Sequence, residues 1–326
     1  MKTIDTIDHS QAGQAINTRQ PEKPAYRSFK SRVRTSALAL QRSSAQTFRG
    51  LTSHARLLPD FLIIGGQRCG TSSLYYYLTE HPGVISASTK EIHYFDDFYT
   101  RGLNWYRAQF PTIAYKHYLE RARGRPFLTG EASPYYLFHP HVPQRVAAVL
   151  PNIKLIVLLR NPIDRAYSQH WLEVAGKFET LSFEEAVRQE PERTAGEYEK
   201  LLKDENYHSY SHRRYTYLSR GIYVDQLQHW MKYYPRNQFL IIKTEDLYAK
   251  PAEVVRQTLE FLGIPGDKID TNREYKKYKI PSKTGYKAKD SAPKMDPEVR
   301  AYLVEYFRPH NARLSEFFGR DFEWDE

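Results

Sequence analysis

The chain has 326 residues, 40% hydrophobic, 14% aromatic and 26% charged, a balance that supports one large packed core with trimmings and excludes a wholly disordered chain. Its formal net charge of +10 attracts polyanions of any kind, from nucleic acid and anionic lipid to acidic polysaccharide and phosphorylated small molecules, without choosing among them. No run of eighteen apolar residues occurs, the opening MKTIDTIDHSQ lacks the apolar core of a secretory signal, and Cys69 is the single cysteine. The expectations are therefore no transmembrane segment, no intrachain disulfide and a reducing cytoplasm.

In chain order, residues 1–57 read as a flexible basic extension and 58–326 as the folded domain. Between Lys23 and Pro59 there is no acidic residue, while Arg27, Lys30, Arg32, Arg34, Arg42, Arg49 and Arg56 stand in Ser/Thr/Ala-rich sequence. That composition is like an organelle transit peptide but lies too far inside the chain; a flexible or surface-lying segment is expected, with a helix over 36–48 as the alternative. From Pro59 onward, apolar runs alternate with amphipathic stretches. Strands are expected at 61–64, 84–86, 127–129, 155–159 and 239–242, and helices at 71–81, 142–150, 163–174, 183–189, 224–233 and 252–262. Unbroken Val/Ile/Leu strands alternating with helices predict an α/β fold, a parallel sheet flanked by helices on both faces in the manner of the P-loop NTPases. Around 275–294 the helical pattern lapses and Lys276, Lys277, Lys279, Lys283, Lys287, Lys289 and Lys294 crowd a loop punctuated by Pro281 and Gly285. Two further helices are expected, at 297–307 and 312–318.

Gly65-Gly66-Gln67-Arg68-Cys69-Gly70-Thr71-Ser72 spaces two glycines as in a P-loop, G-x-x-x-x-G. A glycine-rich turn lets backbone N–H groups approach an anion, and the helix starting at Thr71 presents its positive dipole end, with Thr71, Ser72 and Ser73 adding hydroxyls. A nucleoside triphosphatase needs Lys directly after the second Gly, followed by Ser/Thr for Mg²⁺. Here Thr71 stands at that position and the cation comes two residues earlier, at Arg68. That arrangement suits a donor with fewer charges and no metal, such as a phosphosulfate.

Leu155–Arg160 places a guanidinium at the carboxyl end of a buried strand, the edge where open α/β sheets bind ligands. Ser168 lies on the following helix and completes a candidate second phosphate site; the alternative is an Arg160 that simply pairs with Asp164. Lys90-Glu91-Ile92-His93-Tyr94-Phe95-Asp96 follows the second strand. Glu91 is the best general base, with His93 and Asp96 placed to orient an acceptor. Metal binding by this Glu/His/Asp group is a rival, but neither a His-Glu-x-x-His pattern nor a cysteine pair supports it.

Together these residues resemble the sulfotransferase family that uses 3′-phosphoadenosine-5′-phosphosulfate (PAPS), particularly its heparan-sulfate branch and bacterial relatives, from about Phe61 to Trp324. The resemblance implies a 5′-phosphosulfate loop at 65–72, with Arg68, Cys69, Gly70, Thr71, Ser72 and Ser73 on the donor, and a 3′-phosphate site at Arg160 and Ser168. It implies Glu91 as the catalytic glutamate, and makes Ser282-Lys283-Thr284-Gly285 the basic loop that closes over the donor. Arg68 and Lys283 would stabilise charge as adenosine 3′,5′-bisphosphate leaves, His93 would assist Glu91, and Lys90, His93 and Asp96 would meet the acceptor. No metal is required. The expected partner is a hydroxyl acceptor, foremost a carbohydrate and less readily an amine, and not a specific nucleic acid. Three departures stand out: Arg68 where the family usually has Lys, Ala132 after Glu131 where the animal enzymes often have Lys, and no N-terminal anchor. The remaining alternatives are a P-loop kinase or NTPase and a non-catalytic polyanion-binding protein.

Overall fold

Five strands pair in parallel: Phe61–Gly65 (β1), Val84–Ser86 (β2), Leu128–Ala132 (β3), Lys154–Leu159 (β4) and Phe239–Lys243 (β5), in the order β2-β3-β1-β4-β5. A computed structural model describes residues 47–265 and 293–324. The helices are Thr71–Glu80 (α1), Gly102–Arg107 (α2), Ile113–Arg123 (α3), Val142–Val149 (α4), Pro162–Ala175 (α5), Phe183–Arg193 (α6), Glu197–Lys203 (α7), Tyr210–Arg214 (α8), Tyr223–Trp230 (α9), Thr244–Ala249 (α10), Pro251–Leu262 (α11) and Pro297–Phe318 (α12).

The two-residue period of a strand sends alternate side chains to opposite faces, and here both faces are covered. Leu62, Ile64, Leu155, Val157 and Leu159 join a core with Val142 and Val146 of α4, Leu227 and Trp230 of α9 and Leu314 of α12. Phe61, Ile63, Ile156 and Leu158 face the other way, onto Leu74 and Leu78 of α1 and Val255 and Leu259 of α11. A third cluster joins Ile163 and Ala166 of α5 to Ala186 and Val187 of α6 and Phe307 of α12. Double coverage explains why β1 and β4 read as unbroken apolar runs rather than as alternating ones. No helix among the described residues is long and apolar enough to cross a membrane.

Besides five helices that the sequence pattern did not mark (α2, α3, α7, α8 and α10), the structure departs from the sequence expectations in three places. β3 runs to Ala132 rather than stopping at Thr129, because Gly130 and Glu131, poor strand residues by type, continue the ladder against β1. The two helices expected after Pro297 form a single one with Pro309 inside it. A helix-interior proline forfeits one backbone bond, but Leu303, Phe307, Asn311 and Leu314 lie buried at spacings of three and four, and that stripe carries the helix past the break. The third departure concerns the expected extension. Residues 1–46 lie outside the described residues, as does most of the alternative helix over 36–48; from Phe48 onward the described chain packs into the body. Arg56, 5% exposed, donates to Phe110 O at 2.8 Å, and Arg49 donates to Ala108 O at 2.6 Å and Phe110 O at 3.2 Å.

Leu158 sits fully buried on the central pair of strands. Leu158→Ala should cost about 2–5 kcal/mol, through lost transfer energy plus the cavity left behind. The measurement is urea unfolding, with the midpoint lowered and the slope unchanged.

Candidate active site

The turn from β1 into α1 is shaped by close approach. A Cβ on Gly65 would stand 2.5 Å from Leu137 Cβ, and Gly70 adopts φ +86°, so side chains are excluded at both ends of the loop. Gly66 N donates to Leu158 O at 2.6 Å, Cys69 N to Gly66 O at 3.2 Å, and the Thr244 hydroxyl to Cys69 O at 2.7 Å, fixing the loop against β4 and α10. Cys69 itself is wholly buried, and burial pushes its thiol up; its side chain packs inside the loop, with its sulfur 3.8 Å from Tyr223 Oη. Helix α1 has Gly70 as N-cap, no side-chain cap and no acid in its first turn. The amides of Thr71, Ser72 and Ser73 have no partner within the helix, the condition for an anion site at a helix start.

Two guanidiniums share this edge. Arg68, itself at φ +69°, donates from Nε to Ser168 Oγ at 2.9 Å, and Arg160 Nη1 reaches Arg68 O at 3.4 Å. Asp164 does not take Arg160; it pairs with Arg300 at 3.0 Å. Among the described residues neither Arg68 nor Arg160 forms an ion pair, and burial, followed by the Arg160 charge, lowers the pKa of Arg68. Arg160 is held at the end of β4 by Tyr223, whose hydroxyl donates to Arg160 O at 2.8 Å. Asn161 caps α5, accepting from Ile163 N at 3.0 Å and Asp164 N at 3.4 Å, with Pro162 in the first helical turn, which brings Ser168 back toward Arg68.

The second group lies one strand away. Glu91 N donates to Ala132 O at 3.1 Å, tying the segment to the carboxyl end of β3, which neighbours β1. Lys90 Nζ contacts Glu91 Oε1, His93 Nε2 lies 3.8 Å from Glu91 Oε2, and His93 Nδ1 bonds Asp96 Oδ2 at 2.7 Å. Glu91 and His93 both adopt left-handed backbone, φ 60° and 55°, a sparsely populated region for non-glycine residues that concentrates at functional sites. Burial opposes the His93 charge, but the hydrogen bond and charge of Asp96, reinforced by Glu91, raise its pKa to about 10. Burial likewise opposes ionisation of Glu91, and His93 and Lys90 outweigh it, holding the carboxyl below the usual range. His93, Asp96 and Asp97 offer ligand atoms within 4.8 Å of one another, yet protein cations already match them: Arg213 Nη1 meets both Asp97 oxygens, at 2.5 and 2.6 Å.

Two buried groups have no signature in the sequence motifs. Arg220, 3% exposed, reaches Gln67 Oε1 in the loop, donates to His212 O at 2.9 Å and Arg213 O at 3.0 Å, and lies over the rings of Tyr135 and Phe138. Burial, aided by Arg165 and Arg213, pulls its pKa down to about 9. Glu131, 0% exposed, accepts from the hydroxyls of Tyr106, Tyr136 and Ser133, and burial pushes its carboxyl up to about 7 against those donors. Nothing adjacent in sequence marks Arg220, and Glu131 falls beyond the end expected for β3 at Thr129, so no strand pattern reaches it. Ser282, Lys283 and Gly285 lie outside the described residues.

A parallel sheet whose central strand feeds a glycine-turned helix start, with cations at the end of that strand and of its neighbour, defines an α/β protein of P-loop-like architecture. The chain belongs to the sulfotransferase domain family, which it matches over residues 58–321. It is 30% identical to the human heparan sulfate glucosamine 3-O-sulfotransferase 3B1 over 84% of this chain and 66% of that protein. It is 28% identical to the membrane-associated sulfotransferase kil1 of Dictyostelium discoideum over 82% of this chain and 66% of that protein. The chain thus spans just under two thirds of the length of these two curated relatives. Among solved structures, a sulfotransferase from Alicyclobacillus acidocaldarius superposes with a TM-score of 0.59 at 30% identity, covering 83% of this chain and all of that one.

Two neighbouring guanidiniums without counter-ions among the described residues leave this edge electrostatically strained. Inorganic phosphate should therefore raise its melting temperature, a linkage effect that grows with anion concentration. Arg160→Met should abolish most of that increment while leaving the anion-free melting temperature unchanged or higher, as read by differential scanning fluorimetry in buffers free of multivalent anions.

Proposed function

We propose that the protein transfers a sulfonate from PAPS to a hydroxyl of a carbohydrate acceptor, with Glu91 as general base. The observation that carries this reading is the presence of two complementary groups at one sheet edge. Arg68, Arg160 and Ser168 form a cationic cluster without a counter-ion among the described residues, and the Lys90–Glu91–His93–Asp96 network stands on the neighbouring strand end.

The donor supplies the sulfonate: its sulfur–oxygen bond to phosphate breaks as sulfur bonds the acceptor oxygen, and adenosine 3′,5′-bisphosphate departs. The free amides of residues 71–73 and the Arg68 guanidinium would hold the 5′ end, while Arg160 and Ser168 would hold the 3′-phosphate. Arg68, next to the departing phosphate, would stabilise the charge that grows there. Glu91 would take the acceptor proton. At rest, its hydrogen bond from Lys90 and its ion pair with His93 make it a weak base. An acceptor hydroxyl entering beside it competes for those bonds and restores basicity. His93, cationic and braced by Asp96, would orient both partners, and Lys90 would meet the acceptor. A sugar chain is favoured by the heparan-sulfate specificity in the relatives' names and by the charge of +10, which concentrates an acidic polymer near the protein.

The test is mass-spectrometric transfer of isotopically labelled sulfonate to a panel of glycans, phenols and amines. A wild-type protein that labels none of them, or turns over ATP with Mg²⁺ instead, overturns the reading. Glu91→Gln should lower kcat by about 10² to 10⁴, the usual effect of losing a general base, with calorimetric affinity for adenosine 3′,5′-bisphosphate nearly unchanged. Wild-type turnover in that variant would remove Glu91 from the role.

The pH dependence has a definite sign. With His93 raised to about 10, its proton stays on through neutrality, so His93 should contribute no inflection to kcat/KM near the ordinary histidine value of about 6.5, and the limb it controls should appear only as pH climbs toward 10. The same charge stabilises the fold fully below the unfolded pKa, and this contribution is lost as pH rises through about 10. Asp96→Asn removes the main support for the imidazolium, so the alkaline limb should move down toward neutrality. An unmoved limb in that variant would exclude His93 as the titrating group.

A further inference from the structure

Glu131 belongs to neither of the two groups, yet it is a wholly enclosed carboxylate in their neighbourhood. It projects from β3 in LTGEA with no exposed surface. Tyr106 Oη donates to Glu131 Oε1 at 2.8 Å, Tyr136 Oη to the same oxygen at 3.1 Å, and Ser133 Oγ to Oε2 at 2.8 Å. A hydroxyl has one proton to give. Ser133 and Tyr136 spend theirs on Glu131, which leaves their oxygens free to act only as acceptors.

What those oxygens accept is the backbone of the Glu91 segment. Ser133 Oγ takes His93 N at 3.2 Å, and Tyr136 Oη takes Tyr94 N at 2.9 Å and Phe95 N at 3.3 Å. With Glu91 N on Ala132 O at 3.1 Å, the amides of residues 91, 93, 94 and 95 are all held by β3 or by hydroxyls polarised by its glutamate. This is the stretch in which Glu91 and His93 hold left-handed backbone, a conformation that non-glycine residues keep only where the surroundings impose it. A neutral group at 131 could not receive all three protons, and freed hydroxyls would turn to compete with the amides they now accept.

We propose that Glu131 is a positioning residue for the transfer reaction: through Ser133 and Tyr136 it fixes the 91–95 backbone, and so the directions from which the Glu91 and His93 side chains meet the acceptor. The proposal rests on the reading of Glu91 as the base, and it assigns Glu131 no contact with donor or acceptor.

The test compares Ser133→Ala, Tyr136→Phe and Glu131→Gln with wild type in four measurements: melting temperature, calorimetric affinity for adenosine 3′,5′-bisphosphate, steady-state transfer, and amide hydrogen exchange over 91–97. Misplacement of a reacting group by about 1 Å can cost 10²-fold. We therefore expect kcat to fall about 10- to 100-fold in each variant, with donor KM and bisphosphate affinity held within about twofold. Exchange at 93–95 should be faster than in wild type while the β1 and β4 amides stay protected. Ser133→Ala and Tyr136→Phe each delete a single hydroxyl, so they decide the matter if Glu131→Gln does not fold. Unchanged exchange at 93–95 in both single-hydroxyl variants overturns the proposal. So does a loss of kcat matched by equal losses in donor affinity and global protection, because that marks a structural role. A wild-type protein that transfers no sulfonate defeats the functional reading instead, and leaves the exchange result to stand or fall by itself.

Discussion

β1 is hydrogen-bonded on both sides and covered on both faces, so its chain can leave the sheet only along its own direction, at the carboxyl end. Every backbone group of a buried strand must be paired, and the ladders to β3 and β4 pair them until Gly65. There the pairing ends, and the amides turned loose in the loop and first helical turn become available to an anion. The neighbours inherit the same geometry. Arg160 directly follows β4 and Glu91 is tethered to the last residue of β3, so one topological constraint sets cations on one side of the loop and the Glu91–His93 network on the other.

Electrostatics then separates the two sides. Arg68 and Arg160 are held close by bonds that do not use their charge: a serine hydroxyl for one, and a backbone carbonyl for the other. Guanidiniums are poorly suited to shedding a proton, so their mutual repulsion is relieved chiefly by an incoming anion. On the β3 side the opposite rule holds. On this side Lys90, His93 and Arg213 stand against Glu91, Asp96 and Asp97, three charges of each sign that satisfy one another. A cationic site thus adjoins one that is already neutral in sum, the electrostatic asymmetry that the proposed pairing of a nucleotide donor with an uncharged hydroxyl requires.

Much of this was legible in the sequence because local rules govern it. The glycines at 65 and 70, the apolar runs of β1 and β4 and the Asn161-Pro162 helix start each act within a few residues, and the family resemblance rests on those same stretches. What could not be read depends on distant partners. Gln67 meets Arg220 across 153 positions, and nothing near either residue announces it. β3 looked too short because Glu131 reads as a turn or surface residue, when its three hydroxyl partners make it an interior one. Pro309 looked like a helix end because the stripe that overrides it is a tertiary contact. The lysine-rich stretch at 275–294 lies almost wholly outside the described residues, so its part in holding a donor stays a matter of resemblance.

The departure at Ala132 can be read against that background. The side chain at this position is wholly buried, in the core beneath α1, and the amide of Glu91 is bonded to its carbonyl. A long cationic side chain here would have to leave that core and would then stand at the carboxyl edge, between the two arginines and the Glu91 segment. Its absence removes one charge from the boundary between the cationic cluster and the neutral network. Arg68, broader and more fixed in geometry than the lysine the family usually carries, supplies charge from the loop side instead, anchored to Ser168 rather than free to swing. The two departures therefore act on the same boundary. Together they place the cationic charge on the side of the proposed donor and leave the side of the proposed acceptor to the Glu91 segment, whose backbone is bonded from beneath by β3 and by hydroxyls that donate to Glu131.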